Sequence, residues 1–267
     1  MIKRTSVLHF AATMALLATA SAAQAQAFSA VRLYAAAPGK DGGLAGSVVL
    51  ATTEYPGSDD RRALVLPVLD YQWGNGWFAG TSNGVGYNFS SDPSLQYGVR
   101  ITGDFGRKES RSQALRGMKD IDAKAELGGF LNYSLTEELS ITSSLRYGAG
   151  NDSDGIVADL GLSYSTRLGQ KWRLGMGVDI SMVNASMMQS YFGVTATQAA
   201  ASGYRAYTPK SGLRDVQTSA TLSYSYSPRA SVTVGLNTTT LMGDAADSPL
   251  VRKKTSVGGI FALTYAF

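Results

Sequence analysis

Polar and apolar side chains alternate along most of this 267-residue chain, and a period of two predicts β-strands with one apolar face. In one of the clearest stretches Ile156, Leu160 and Leu162 alternate with Asp159 and Ser163. Such stretches run for about 11 to 14 residues, roughly twice the length of an average strand. The pattern predicts twelve long strands, with ten as the alternative. Four lie before Leu95, at 28–37, 44–53, 63–73 and 77–89, and eight follow.

Membrane β-barrels and soluble β-sandwiches both alternate, so other features have to separate them. The apolar faces of the six clearest strands contain no charged residue. From Leu95 onward short connections alternate with long polar ones, which is typical of short periplasmic turns and longer extracellular loops. Aromatic residues collect at the short-turn ends, as in an interfacial girdle: Tyr133, Tyr164, Trp172, Tyr224, Tyr226, Tyr265 and Phe267. We therefore expect an all-β, transmembrane, antiparallel up-and-down barrel.

Pro67 is the one discordant residue within a predicted strand. It has no N–H to donate to a ladder, so it predicts a bulge or a misplaced strand boundary. The last strand is regular by comparison, and its final Tyr265 and Phe267 resemble the signal that the barrel-assembly machinery recognises.

The first 25 residues have the composition of a secretory signal peptide. Lys3 and Arg4 precede an apolar run, and Ala23 and Ala25 form an A-x-A cleavage site. Cleavage after residue 25 or 27 would leave a single barrel domain, 26–267. Such an exported barrel is expected in the outer membrane of a Gram-negative bacterium, surrounded by lipids and lipopolysaccharide.

Few residues are available for chemistry. The chain has no Cys, and its only His, His9, lies in the predicted signal peptide. Most nucleophile–base catalysis and most transition-metal sites depend on these residue types, so we expect no enzyme, no cofactor and no metal. Without Lys3 and Arg4 the mature chain has 22 basic residues (24 less these two) against 20 acidic ones, a net charge of +2. This balance does not indicate nucleic-acid binding.

Charged residues of both signs occupy the face opposite to the apolar one. Two interpretations remain open. Cross-strand ion pairs would fill the lumen, or the same charges would line a narrow, charge-selective aqueous path. The candidate lumen charges are Arg100, Lys124, Glu126, Arg146, Asp159, Arg167, Arg173 and Asp179.

Several loop segments, taken together, resemble the MipA/OmpV family, the MltA-interacting proteins of the outer membrane. They run from Tyr55 to Asp59, from Tyr191 to Val216 and from Leu241 to Pro249, and the similarity extends from about Leu44 to the last residue. The family-motif residues are Tyr191, Phe192, Gly193, Arg214, Asp215, Gly243, Asp244, Asp247, Ser248 and Pro249.

The resemblance implies a non-enzymatic outer-membrane scaffold that brings a murein lytic transglycosylase to a penicillin-binding synthase. Other members are described as adhesins or porin-like proteins, so a small-solute channel and an adhesin remain alternatives. The motif loops would fold over the barrel mouth if Asp215, Asp244 or Asp247 pairs with Arg205, Arg214 or Arg252. No sequence feature indicates the oligomeric state.

Murein enzymes can touch only the periplasmic end of such a barrel. By strand parity the connection 54–62 falls at that end, and it is too long for a simple turn. We therefore expect it to contact a periplasmic partner through Tyr55, Ser58, Asp59, Asp60, Arg61 and Arg62.

Overall fold

Each strand of the protein pairs with the next one in sequence, and the last strand pairs with the first. The computed structural model describes residues 39–267, in which twelve antiparallel strands close into a barrel. The prediction of a twelve-stranded antiparallel barrel is confirmed. The strands are β1 (Gly42–Thr53), β2 (Arg61–Gln72), β3 (Trp77–Gly80), β4 (Gly84–Asn88), β5 (Leu95–Asp104), β6 (Lys124–Ser134), β7 (Leu139–Ala149), β8 (Gly155–Leu168), β9 (Trp172–Val183), β10 (Gly212–Ser225), β11 (Ala230–Leu241) and β12 (Thr255–Ala266).

The first strands differ from the prediction. The predicted strand 28–37 lies outside the described residues, and the predicted strand 77–89 is the two short strands β3 and β4. The chain turns back at 81–83 because the Asp70 carboxylate accepts hydrogen bonds from the backbone N–H of Ser82 (3.0 Å) and from its hydroxyl.

This difference reverses the position of the connection 54–60. It joins β1 to β2 and therefore lies at the same end as the long connections 105–123, 184–211 and 242–254. The prediction that it lies at the short-turn end was wrong, because the predicted strand 77–89 is two strands, and one extra strand moves every earlier connection to the other end of the barrel relative to the later ones.

The alternation along the strands separates an outward from an inward face. On β8, Leu160 and Leu162 are about half exposed, whereas Val157 is fully buried inside. Outward apolar side chains of a membrane barrel contact lipid.

Aromatic rings pair at the short-turn end, with centroids 4.9 Å apart for Tyr71 and Trp73, 5.4 Å for Trp77 and Tyr87, and 4.8 Å for Trp172 and Tyr224. These pairs form the aromatic girdle expected at a membrane interface.

Pro67 lies in an uninterrupted part of β2, where it is the register partner of Ser47. Neither a bulge nor a strand boundary occurs there. Leu69, two residues further on, directs its backbone groups away from β1 and towards Thr81. Pro67 has the same orientation, but β3 pairs only with Asp70–Gln72 of β2. Its missing N–H therefore faces an edge that, among the described strands, has no partner.

Three α-helices lie in the long connections, α1 (Ala185–Phe192), α2 (Ala196–Ser202) and α3 (Gly243–Ala246), and the connection 105–123 also contains the short 3-10 helices Glu109–Arg111 and Gln113–Leu115. The Asn184 side chain caps α1 by accepting from the backbone N–H of Met187, and Thr195 and Gln198 form a capping box on α2. No helix within residues 39–267 is long and apolar enough to span a membrane.

We predict that Leu160→Arg destabilises the barrel by about 2–4 kcal/mol, because the outward side chain in the middle of β8 would place a charge in lipid. Leu168→Arg is the matched control, since Leu168 also points outward but lies beside the turn at 169–171. It should cost about 0–1 kcal/mol. Urea titration in lipid vesicles, followed by heat-modifiability on gels, measures both. Equal costs would contradict a lipid-immersed outward face.

Candidate functional site

The long connections fold together at one end of the barrel. We call this assembly the loop cap; it comprises residues 54–60, 105–123, 150–154, 184–211 and 242–254. Two buried apolar clusters hold it together. One includes Ile121, Met187, Met188, Tyr191, Phe192 and Ala245, and continues into Val157 and Val183 of the barrel. The other contains Met118, Val194 and Leu250. The cap is therefore packed onto the barrel mouth.

Tyr191 of α1 connects the cap to the barrel rim. Its hydroxyl donates to the Asp104 carboxylate at 2.5 Å, and its backbone carbonyl accepts from Arg107 Nη1 at 2.8 Å. Asp104 also accepts from the backbone N–H groups of Gly106 and Gly150. Burial, together with the nearby carboxylate, raises the pKa of Tyr191 well above its usual value, and burial lowers the pKa of Arg107. Tyr191 therefore stays protonated and acts as a donor at neutral pH.

Two further side chains link separate connections through backbone carbonyls. The Tyr55 hydroxyl donates to the carbonyl of Leu250 at 3.0 Å, and Ser248 Oγ donates to the carbonyl of Phe192 at 2.6 Å. Gly57, in a left-handed conformation, offers its carbonyl to the N–H groups of Arg252 and Lys253. Burial is the main reason why the pKa of Tyr55 rises to about 12.

The predicted partner turn is thus part of the loop cap. Tyr55 and Ser58 are buried, and Asp60 accepts from Ser112 Oγ at 3.1 Å. Asp59 and Arg61 are exposed. Arg62 lies 3.8 Å from Glu54 within the same hairpin. These contacts serve the cap, which lies at the end of the barrel opposite to the short turns.

Of the Asp–Arg pairs considered from the sequence, only the one between Arg214 and Asp215 forms an ion pair. The other family-motif residues contact the cap in different ways. Arg214 Nε pairs with Asp215 at 2.5 Å, and both are buried. The Asp244 carboxylate accepts from the backbone N–H of Lys210, and Asp247 pairs with Lys254 at an exposed position. Gly193 ends α1 and Gly243 begins α3, while Ser248 precedes Pro249 in the last connection.

Inside the barrel, Arg146 joins two carboxylates across neighbouring strands. Its Nη1 lies 2.9 Å from Glu126, and its Nη2 lies 3.0 Å from Asp159. Asp159 also accepts from Ser144 and Ser181. Glu126 is 1% exposed, and a carboxylate buried to that degree requires such a partner. Arg146, Glu126 and Asp159 therefore form cross-strand ion pairs, the first of the two arrangements considered from the sequence.

The other predicted lumen charges occupy different depths. Lys124 Nζ donates to Ser153 Oγ at 2.7 Å, near the loop cap. The Arg100 guanidinium lies 5.9 Å from the centre of the Phe130 ring, and the Asp179 carboxylate lies over Gly161. Arg167 and Arg173 are exposed register partners beside the short turn 169–171.

A cavity of about 70 Å³ remains between the loop cap and the interior ion pairs. Arg146, Arg214, Glu126 and Asp215 contribute to its wall, and Tyr191 and Phe192 of the cap also line it. Such a volume accommodates a few water molecules. In the described part of the chain, no group of three or more His, Cys, Asp or Glu residues is arranged to hold a metal ion.

We predict that Tyr55→Phe loosens the loop cap by about 1–2 kcal/mol, because the buried carbonyl of Leu250 loses its donor. The pKa of Tyr55 is higher in the folded protein than the unfolded value of 10.0, so its stabilising contribution is present below pH 10 and is lost as the pH rises towards 12. Proteolysis of the cap between pH 7 and 12 measures this loss, which should be smaller in Tyr55→Phe.

The matched control is Tyr226→Phe, which removes the hydroxyl of an exposed tyrosine at the short-turn end. Its cap should be cleaved at the wild-type rate at every pH. If Tyr55→Phe behaved in the same way, the bond between Tyr55 and Leu250 would not support the cap.

The chain resembles known proteins over nearly the whole barrel. MltA-interacting protein of Escherichia coli (strain K12) is 28% identical over 225 residues, which are 82% of this chain and 88% of that protein, and the Shigella flexneri protein gives the same values. Among solved structures, the NanC porin has a TM-score of 0.47 at 9% identity, covering 83% of this chain and 98% of that one. A Salmonella typhi OmpF complex has a TM-score of 0.41 at 10% identity, covering 85% and 97%.

The model of the family described as MltA-interacting protein MipA matches residues 44–267. This match covers all of the described barrel except its first few residues and includes every connection of the loop cap. It confirms the resemblance noted in the sequence, and the chain belongs to the MltA-interacting protein MipA family.

Proposed function

We propose that this protein is a non-enzymatic scaffold of the Gram-negative outer membrane that binds murein-metabolising enzymes at its periplasmic end. The observation that carries the proposal is the closed barrel. The loop cap packs into the mouth, and Arg146 pairs with Glu126 and Asp159 beneath it. A barrel filled in this way favours a binding role over a channel. The name of the relatives, MltA-interacting protein, supports the same role.

The periplasmic end carries separated charges. Asp92 lies in the turn 89–94 and Glu137 and Glu138 in the turn 135–138, and a hydrogen bond of 2.7 Å from Ser134 N to Ser94 O joins these turns. Glu137 and Glu138 are both exposed, and the Glu138 carboxylate accepts from Tyr164 and Thr166. We infer that Asp92 and Glu137 form an acidic rim towards which a basic enzyme surface is steered.

We predict that the refolded mature protein gives no stable stepwise conductance in planar bilayers, because the loop cap and the ion pairs obstruct the lumen. Val183 and Gly212 are register partners, so a short Gly/Ser turn can replace residues 185–210 without straining β9 or β10. Conductance in this variant alone would identify the cap as the barrier. Stable steps in the wild-type protein, with folding confirmed by heat-modifiability, would contradict the closed barrel and favour the channel.

For partner binding, we predict that Asp92→Lys/Glu137→Lys weakens capture of a purified lytic transglycosylase by about tenfold, because both reversals place like charges against the basic enzyme surface. A pull-down assay without murein measures how much transglycosylase each variant captures. Asp59→Lys/Asp152→Lys is the matched control, since both residues are exposed at the loop-cap end. Equal capture by the two variants would place the contact elsewhere, and absence of capture by the wild-type protein would refute the scaffold.

A further inference from the structure

Two arginines stand directly opposite each other at the short-turn end of the barrel. Arg167 of β8 and Arg173 of β9 are register partners. The next pair towards the turn 169–171 is Leu168 and Trp172. Both lie on the inward-facing side of their strands, in phase with the buried Val157 and Val183. Like charges directly opposite on a ladder destabilise the pairing.

Nothing in the described part of the chain neutralises these two charges. The ion pairs formed by residues 39–267 include neither Arg167 nor Arg173, nor Lys171 in the turn between them. Arg173 Nη1 donates only to Ser165 Oγ, at 3.2 Å, and Lys171 Nζ lies 5.9 Å from the centre of the Tyr224 ring. This contrasts with Arg146, deeper in the lumen, which has two carboxylate partners.

The position of the cluster limits what can reach it. Arg167 and Arg173 are exposed and face the lumen from inside the ring of short turns, whereas Lys171 lies beside Tyr224, whose ring packs on Trp172 in the outer aromatic girdle. Lipid headgroups lie outside the barrel wall and do not reach this face. A narrow, flexible anion can enter the mouth, and a guanidinium pair suits carboxylates because each guanidinium can bind one in bidentate fashion.

We propose that Arg167 and Arg173 form a carboxylate-binding site for the peptide stems of murein. The proposal rests on the proposed function only in placing the short-turn end in the periplasm. There, murein is a polymer of thin glycan chains whose peptide stems carry free carboxylates. The barrel would thereby hold the wall directly, in addition to any enzyme bound at the acidic rim.

Co-sedimentation tests the site with the refolded mature protein in detergent and purified sacculi free of protein. We expect the wild-type protein to sediment with sacculi and to be released by salt. Arg167→Gln/Arg173→Gln should raise the half-saturating amount of sacculi about tenfold. Sacculi whose carboxylates have been amidated should not bind the wild-type protein. Arg61→Gln/Arg116→Gln, which removes two exposed arginines at the loop-cap end, is the matched control and should bind as wild type.

Folding does not confound this test, because Arg167→Gln/Arg173→Gln removes a repulsion and should fold at least as well as wild type by heat-modifiability. Equal sedimentation of the wild-type protein and this variant would overturn the proposal, as would undiminished binding to amidated sacculi. Failure of the wild-type protein to sediment would overturn it too. If this variant then lost only transglycosylase capture, the cluster would bind an acidic protein surface instead. The assay contains no enzyme, so its failure leaves the scaffold test unaffected.

Discussion

The hydrocarbon core of a membrane offers no hydrogen-bond partner to a peptide group, and most of this structure follows from that constraint. A closed ladder from β1 to β12 meets it for the long strands. The short hairpin of β3 and β4 is the exception, because it turns back at 81–83, well before the level of the loop cap. Asp70 supplies acceptors for Ser82 at this tip, and Thr81 bonds Leu69. The upper half of β2 is left with an edge, and Pro67 lies on it. A proline there reduces the number of N–H groups without a partner and hinders the addition of a further strand.

The same constraint shapes the loop cap, whose connections carry many backbone carbonyls that no ladder satisfies. Three side chains each donate to a carbonyl on a different connection: Tyr55 to Leu250, Arg107 to Tyr191, and Ser248 to Phe192. Each bond joins segments far apart in sequence, so the connections hold one another in place. Since Tyr191 also bonds Asp104 at the end of β5, the cap is tied to the barrel rim. The position of the cap on the barrel mouth therefore results from specific bonds in addition to apolar packing.

The alternation predicted the eight strands from Leu95 onward because its physical cause, lipid on one face and lumen on the other, acts on every residue. It failed at 77–89, where the alternation continues on both sides of the turn and hides it, although Ser82, Asn83 and Gly84 are turn-forming residues. Because of that error, the connection 54–60 was predicted at the wrong end of the barrel.

The contacts of the loop cap could not be predicted, because the bond between Tyr191 and Asp104 spans 87 residues and follows no period. The lumen charges could be identified because they lie on the strand face opposite to the apolar one. Which of them pair depends on the register between neighbouring strands. Only the register brings Arg146 opposite Gly128, beside Glu126 and Asp159.

Depth in the barrel separates two kinds of charge that alternation alone treats alike. Asp159 and Arg167 lie on the same face of β8, yet their surroundings differ. Asp159 is deeper in the lumen, where its side chain is 28% exposed, and it is bonded to Arg146, Ser144 and Ser181. Arg167 is at the mouth, where water solvates it and its repulsion with Arg173 is screened by salt. The first set of charges is paired within the barrel. The second set gains nothing from the fold, which leaves its hydrogen-bonding capacity available for an external anion.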